Sequence, residues 1–132
     1  NWKNSSCLSL TYNKELVYLV VIDGSFITFR INYPTAIKSF KTRREFISLV
    51  KTQIEVGKKQ IENKGIIKNP KKHLGVLIRL NSFMKKQGWP ITNIVTSPIT
   101  GQKGNREFLI HCPGKVNSKK IEDDHIRNMI NI

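Results

Sequence analysis

Apolar and polar positions recur along this chain with two different periods, and the changes of period mark its elements. Leu16-Val17-Tyr18-Leu19-Val20-Val21-Ile22 is an unbroken apolar run closed by Asp23-Gly24. A short run of this kind, ended by a turn, is the pattern of a parallel strand buried on both faces. Asp23 is thereby expected at the carboxyl end of a strand. Residues 27–40 can form a short helix if Pro34 lies in its first turn, since proline lacks an amide donor and clashes with the preceding turn. Phe46-Ile47-Ser48-Leu49-Val50 predicts a second buried strand, with Lys51 at its carboxyl end. Residues 52–69 form a Gly- and Lys-rich connection, read as a mobile loop with a little helix around 58–63. Pro70 then opens a helix running to about Gln87. Leu74, Leu77, Ile78, Phe83 and Met84 form its apolar stripe, Arg79, Lys85 and Lys86 lie largely off it, and Gly88 ends it. Residues 91–96 predict a third strand, 97–105 a turn rich in Pro and Gly, and 106–111 a fourth strand opened by Arg106-Glu107. The sequence after Pro113 is polar, with one possible helix over 118–130.

Strand, helix, strand, helix, strand, hairpin, strand is half of a doubly wound α/β fold: a Rossmann-like sheet, mostly parallel, with an antiparallel last strand. The expected organisation is an irregular segment at 1–15, a partial domain at 16–112 and a polar tail at 113–132. The other half of such a fold carries the first strands and a glycine-rich phosphate or nucleoside loop. Neither GxGxxG nor GxxxxGK[ST] occurs in this sequence.

Bulk composition narrows the function classes. At 132 residues the chain can bury one core and is too short for a complete two-domain enzyme. No apolar run approaches the roughly 20 residues of a membrane span. The formal charge of +14 suits a polyanionic partner such as RNA. Lys far outnumbers Arg, however, and a Lys-, Asn- and Ile-rich composition is also what an AT-rich genome would write onto any surface. Cys7 and Cys112 stand far apart, without CxxC or Cys/His ligand spacing, which argues against a disulfide scaffold and a metal site and suits a reducing, cytoplasmic interior. The first residue is Asn rather than Met, so removal of a leader or of a larger N-terminal portion is expected.

Ligands of open α/β sheets bind beyond the carboxyl ends of the strands, where Asp23 and Lys51 converge. The last strand runs the other way, so Glu107 at its start reaches the same edge. Each residue alone has a simpler reading, as a helix cap, a solvated lysine or a water-facing glutamate. The combination is more specific, because one sheet geometry gathers all three. Lys58, Lys59, Lys64, Lys68, Lys71, Lys72, Lys103 and Arg106, with Asn105, could contact RNA phosphates, although a solvated lysine-rich loop explains most of them equally well. Trp89 and Phe26 could stack on bases but fit a core better. His111 beside Cys112 reads as structural, His73 as a surface residue, and His125 belongs to the tail.

Four blocks carry a family resemblance: Leu19-Val20-Val21-Ile22-Asp23-Gly24-Ser25-Phe26-Ile27, Leu49-Val50-Lys51-Thr52-Gln53-Ile54-Glu55, Lys64-Gly65-Ile66-Ile67-Lys68-Asn69-Pro70, and the stretch from Ser97-Pro98-Ile99-Thr100-Gly101 through Gln102-Lys103-Gly104-Asn105-Arg106-Glu107-Phe108-Leu109. Together they resemble the hemolysin-A or TlyA proteins over roughly residues 16–112. The resemblance implies an FtsJ-like fold, ribose 2′-O-methylation of ribosomal RNA and S-adenosylmethionine as donor. It also implies an upstream RNA-binding domain of the S4 type and a glycine-rich donor loop outside this chain. The family's catalytic Lys-Asp-Lys-Glu set would be represented by Asp23, Lys51 and Glu107, its first Lys lying before residue 1. Asp23, Gly24 and Ser25 would border the donor.

Three departures from the family stand out. Gly24 replaces a small apolar residue, Lys51-Thr52-Gln53-Ile54-Glu55 replaces Lys-Pro-Gln-Phe-Glu, and Lys41-Thr42-Arg43-Arg44 replaces a Pro-Gly turn. Loss of the proline is expected to loosen the turn after Lys51.

A ribose hydroxyl is a poor nucleophile, so methylating it needs in-line placement and help with the departing proton. The resemblance makes Lys51 the central group, stabilising a developing alkoxide if charged or accepting the proton if neutral. At an effective dielectric near 20, a carboxylate about 4 Å away favours the ammonium by roughly 4 kcal/mol before desolvation. Two carboxylates and one lysine are therefore expected to keep Lys51 protonated, and the isolated chain is expected to be inactive. A second reading is a degenerate, non-catalytic RNA-binding module on the same fold. Membrane lysis has little support, because no long amphipathic or apolar segment is evident.

Overall fold

The computed structural model describes residues 17–24, 40–56, 65–114 and 119–130. Among these, four strands form one sheet: β1 (Val17–Gly24), β2 (Phe40–Val50), β3 (Asn93–Thr96) and β4 (Phe108–Cys112), in the order β1-β2-β4-β3. β1 pairs parallel to β2, and β4 runs antiparallel to both β2 and β3. Three strands therefore point one way and the last the other, as the sequence pattern predicts.

Register divides the side chains between two faces, because successive residues of a strand alternate. Val20 and Ile22, Phe46, Ser48 and Val50, Phe108, Ile110 and Cys112, and Ile94 share one face, and all but the partly buried Val20 are buried. This face packs into a common core with α2 (Pro70–Lys86), which contributes Val76, Leu77, Leu80 and Met84. Ile126 and Ile130 of α3 (Asp123–Ile130), with Ile121 before it, complete that core. Residues 121–130 are thus anchored by apolar burial, and the Ile121 amide donates to the Ile91 carbonyl at 3.0 Å. The other face presents Leu19, Val21 and Val95 in exposed positions, with Ile47, Leu49 and Leu109 half-buried beside them.

Local chemistry accounts for the helix boundaries. Asn69 caps α2 by accepting from the Lys71 amide at 2.9 Å, and Pro70 occupies the first turn, where its missing donor costs nothing. At the other end Gly88 adopts φ +71, a left-handed conformation that favours glycine, and the following Trp89 amide returns to the Met84 carbonyl at 3.0 Å.

Several expectations need adjusting. The helix proposed for 27–40 lies outside the described residues except for Phe40, which begins β2. β2 extends six residues further toward the N-terminus than Phe46. Its Lys41–Arg44 stretch carries five charged or polar side chains through Glu45 and so hides the strand from an apolar pattern. An irregularity absorbs the extra length: Val17 pairs with Phe40 and Leu19 with Glu45. The connection after Lys51 begins with a short helix, α1 (Thr52–Glu55), where loop was expected. β3 starts at Asn93 instead of 91, and β4 starts at Phe108, so Glu107 immediately precedes the strand it was expected to open. Among the described residues, no helix is long and apolar enough to cross a membrane.

Candidate active site

Three strand ends converge on one edge of the sheet. Asp23 is the penultimate residue of β1, Lys51 follows the last residue of β2, and Glu107 precedes the first residue of β4. Val50 is paired with Phe108, so Lys51 and Glu107 are the next opposed positions as the two antiparallel strands leave the sheet. The Lys51 ammonium contacts Asp23 Oδ1 at 2.8 Å. That bond, together with the Asp23 and Glu107 charges, holds the Lys51 ammonium above its ordinary value of 10.5, against an opposing effect of partial burial. Lys51 is therefore a cation at neutral pH.

The two carboxylates are mounted differently. The Asp23 side chain is 64% exposed. Glu107 is 6% exposed, and its Oε1 accepts a 2.9 Å hydrogen bond from Gln53 Nε2. Gly101 closes another side, where a Cβ would overlap the Glu107 carboxylate. The Glu107 backbone is pinned as well, its carbonyl accepting from the Ser97 amide at 2.8 Å.

Beneath Lys51, the turn expected to loosen without a proline is tied down by other means. Thr52 is fully buried and its Oγ1 shares a 2.6 Å hydrogen bond with His73 Nδ1, while the Ile54 amide donates to the Lys51 carbonyl at 3.0 Å. His73, read from sequence as a surface residue, is 2% exposed and packs edge-on against Phe108. Its burial follows from the rotation of α2, which turns the His73-Val76-Leu77-Leu80 face inward.

The remaining candidates separate cleanly. Gly24 ends β1 opposite Val50 in the register, whereas Ser25 lies outside the described residues. Lys58, Lys59 and Lys64 also lie outside them. Lys68 is exposed, and Lys103 lies exposed on the 3₁₀ turn over 102–104 with a left-handed φ of 60. Arg106 donates to Thr96 Oγ1 at 3.3 Å and lies 5.5 Å from the Phe108 ring centroid. Asn105, expected to face RNA, is instead buried and fully engaged. Its Oδ1 accepts from the Ile67 amide at 2.9 Å, and its Nδ2 donates to the Gly65 and Gln102 carbonyls. It clamps two loops together and presents no amide group to a ligand.

Trp89 is a core residue, stacked edge-on against Phe46 with its indole donating to the Cys112 carbonyl at 3.2 Å. Burial pushes the Cys112 thiol up to about 12, which makes it an unreactive part of the core. His111 Nε2 lies 3.4 Å from Glu45 on the open face, remote in register from Lys51. Thr52, Gln53, His73 and Gly101 were missed as site residues. Only Gln53 had a local signal, its position two residues beyond Lys51 on the same turn.

Comparison with known proteins places this geometry in context. The FtsJ-like methyltransferase family matches residues 3–112. The Bacillus subtilis protein YqxC, named as an rRNA methyltransferase, is 37% identical over 106 residues, covering 79% of this chain and 38% of that protein. The 16S/23S rRNA (cytidine-2′-O)-methyltransferase TlyA of Mycobacterium tuberculosis is 30% identical over 94 residues, covering 71% of this chain and 35% of TlyA. A solved structure of a Streptococcus thermophilus protein named as a hemolysin superposes with a TM-score of 0.81 at 29% identity, covering 98% of this chain and 47% of that one. The chain thus spans less than half the length of each of these relatives.

Proposed function

Because the chain belongs to the FtsJ-like methyltransferase family, we propose that it supplies the Asp23, Lys51 and Glu107 part of a site that methylates ribose 2′-hydroxyls in ribosomal RNA. The observation that carries this reading is the 2.8 Å Asp23–Lys51 pair, set at the sheet edge where the buried Glu107 also emerges. S-adenosylmethionine, the methyl donor implied by the family, would supply an electrophilic methyl group. The residues here that fit its neighbourhood are few: the exposed Asp23 carboxylate, the Gly24 backbone at the end of β1, and Ser25 next in sequence. Neither a GxGxxG nor a GxxxxGK[ST] loop occurs in these 132 residues.

Lys51 works as a cation in this arrangement. Its ammonium stabilises negative charge developing on the attacking ribose oxygen, and because its raised affinity for the proton makes it a poor base as it stands, the hydroxyl proton is released to solvent water. Asp23 and Glu107 orient the ammonium from two strands. Together they leave one net negative charge at the site, which a second lysine from outside this chain would neutralise. RNA phosphates would meet the exposed Lys68 and Lys103 and the half-buried Arg106.

Labelled methyl transfer to ribosomal RNA tests the reading. The 132-residue chain alone should give no turnover. A longer polypeptide that also carries a donor-binding loop should methylate RNA, and Lys51→Met in it should lower the rate by ~10²–10³-fold. Full activity in that variant would overturn the assignment. RNA binding without transfer by the extended protein would favour the non-catalytic module instead.

A further inference from the structure

We propose that Gln53 is a positioning residue that fixes the Glu107 carboxylate opposite Lys51, an inference that rests on the methyltransferase reading of the site. Gln53 sits in α1, two residues after Lys51, and so moves with the lysine's own turn. Its side chain crosses to the start of β4, where Nε2 donates to Glu107 Oε1 at 2.9 Å. The link therefore sets the spacing between the segment that carries the ammonium and the segment that carries the second carboxylate.

The other end of the same amide shows why stability alone does not explain the residue. Gln53 Oε1 is buried and has no hydrogen-bond partner among the described residues. An unpaired buried acceptor is destabilising, and an apolar side chain of the same length would leave none. Turning the amide over would bring Oε1 against the Glu107 carboxylate, oxygen against oxygen. The amide is thus held with its donor end on Glu107 at the expense of its acceptor end. Gly101 completes the arrangement, since its lack of a Cβ leaves the space the carboxylate occupies. Among the described residues the Gln53 side chain bonds Glu107 and not Lys51, so it acts through Glu107.

Nuclear magnetic resonance on the 132-residue chain tests this without any methylation assay. The readouts are the Lys51 Cε titration and the couplings that report the Glu107 χ1 rotamer, compared across the parent, Gln53→Met, Glu107→Gln and the double variant. Glu107→Gln keeps an acceptor for Gln53 and removes only the charge. Gln53→Met should leave Tm within a few degrees of the parent, convert Glu107 from one rotamer to an average, and lower the Lys51 midpoint. In its background, Glu107→Gln should shift Lys51 by less than half as much as in the parent. A single Glu107 rotamer and an unchanged Lys51 midpoint in Gln53→Met would overturn the proposal and leave the methyltransferase reading intact. Loss of more than about 10 °C in Tm would also overturn it, by making Gln53 a packing residue. A Lys51 midpoint indifferent to Glu107→Gln in the parent would instead remove the shared premise that Glu107 acts on Lys51.

Discussion

Asp23 and Glu107 flank the same lysine, and the contrast between them shows how this fold separates contact from support. Asp23 makes the direct 2.8 Å bond to Lys51 but stands mostly in solvent. Glu107 acts on Lys51 through its charge, yet it is buried and held by Gln53, by the space at Gly101 and by its own backbone. An exposed ion pair is weak because water and salt screen it, whereas a buried carboxylate is costly to displace once its hydrogen bonds are built. The strong interaction by distance is therefore the weak one by stability. A substrate can compete for Asp23 far more easily than for Glu107.

The largest test of that contrast is His73→Ala, which removes a buried ring lying between Thr52 and Phe108, under the Lys51 and Glu107 side of the site. It should cost on the order of 3 kcal/mol, read as a drop in Tm or in the denaturant midpoint. Gly101→Ala comes next. The added Cβ overlaps the Glu107 carboxylate, so the side chain must leave its place and give up the Gln53 bond. A loss of about 1–3 kcal/mol is expected from denaturant unfolding, and an unchanged midpoint would mean that Glu107 is not fixed there.

Asp23→Asn should be the mildest for stability, within about 1 kcal/mol after solvent screening, while lowering the Lys51 midpoint measurably in an NMR titration. A cost as large as that of Gly101→Ala would erase the distinction between the carboxylates. The pH dependence follows from the direction of the Lys51 shift. Lys51 binds its proton more tightly when folded, so the pair's contribution is fully present below the ordinary lysine value of 10.5. It is lost as pH rises through the higher folded value, and Asp23→Asn should flatten that alkaline limb. Added salt should shrink the same limb, as expected for an exposed pair.

Strand positions were legible from the apolar runs at residues 16–22 and 46–50, but the burial on both faces expected for them is not found, since Leu19 and Val21 are exposed and Ile47 and Leu49 only half-buried. The convergence of Asp23, Lys51 and Glu107 on one edge was likewise readable, since strand direction fixes which end each residue occupies. The charged extension of β2 was hidden, because Lys41-Thr42-Arg43-Arg44 offers no apolar alternation and falls at the irregularity between the Val17–Phe40 and Leu19–Glu45 pairs. His73 and Asn105 were misjudged for a related reason. Their polar types suggested solvent, but each has partners distant in sequence: Thr52 for His73, and Gly65 and Ile67 for Asn105.

The amino-acid order by itself determined where the centres of the strands lie, where the long helix starts and stops, and which three charged residues end up at neighbouring strand termini. These are local matters of periodicity, capping and chain direction. Only the tertiary structure decided that Glu107 is buried while Asp23 is exposed, that a glutamine holds one carboxylate and a lysine the other, and that a buried histidine braces the turn between them. Burial and hydrogen bonding depend on what the fold brings alongside each side chain, and no stretch of sequence contains that information about itself.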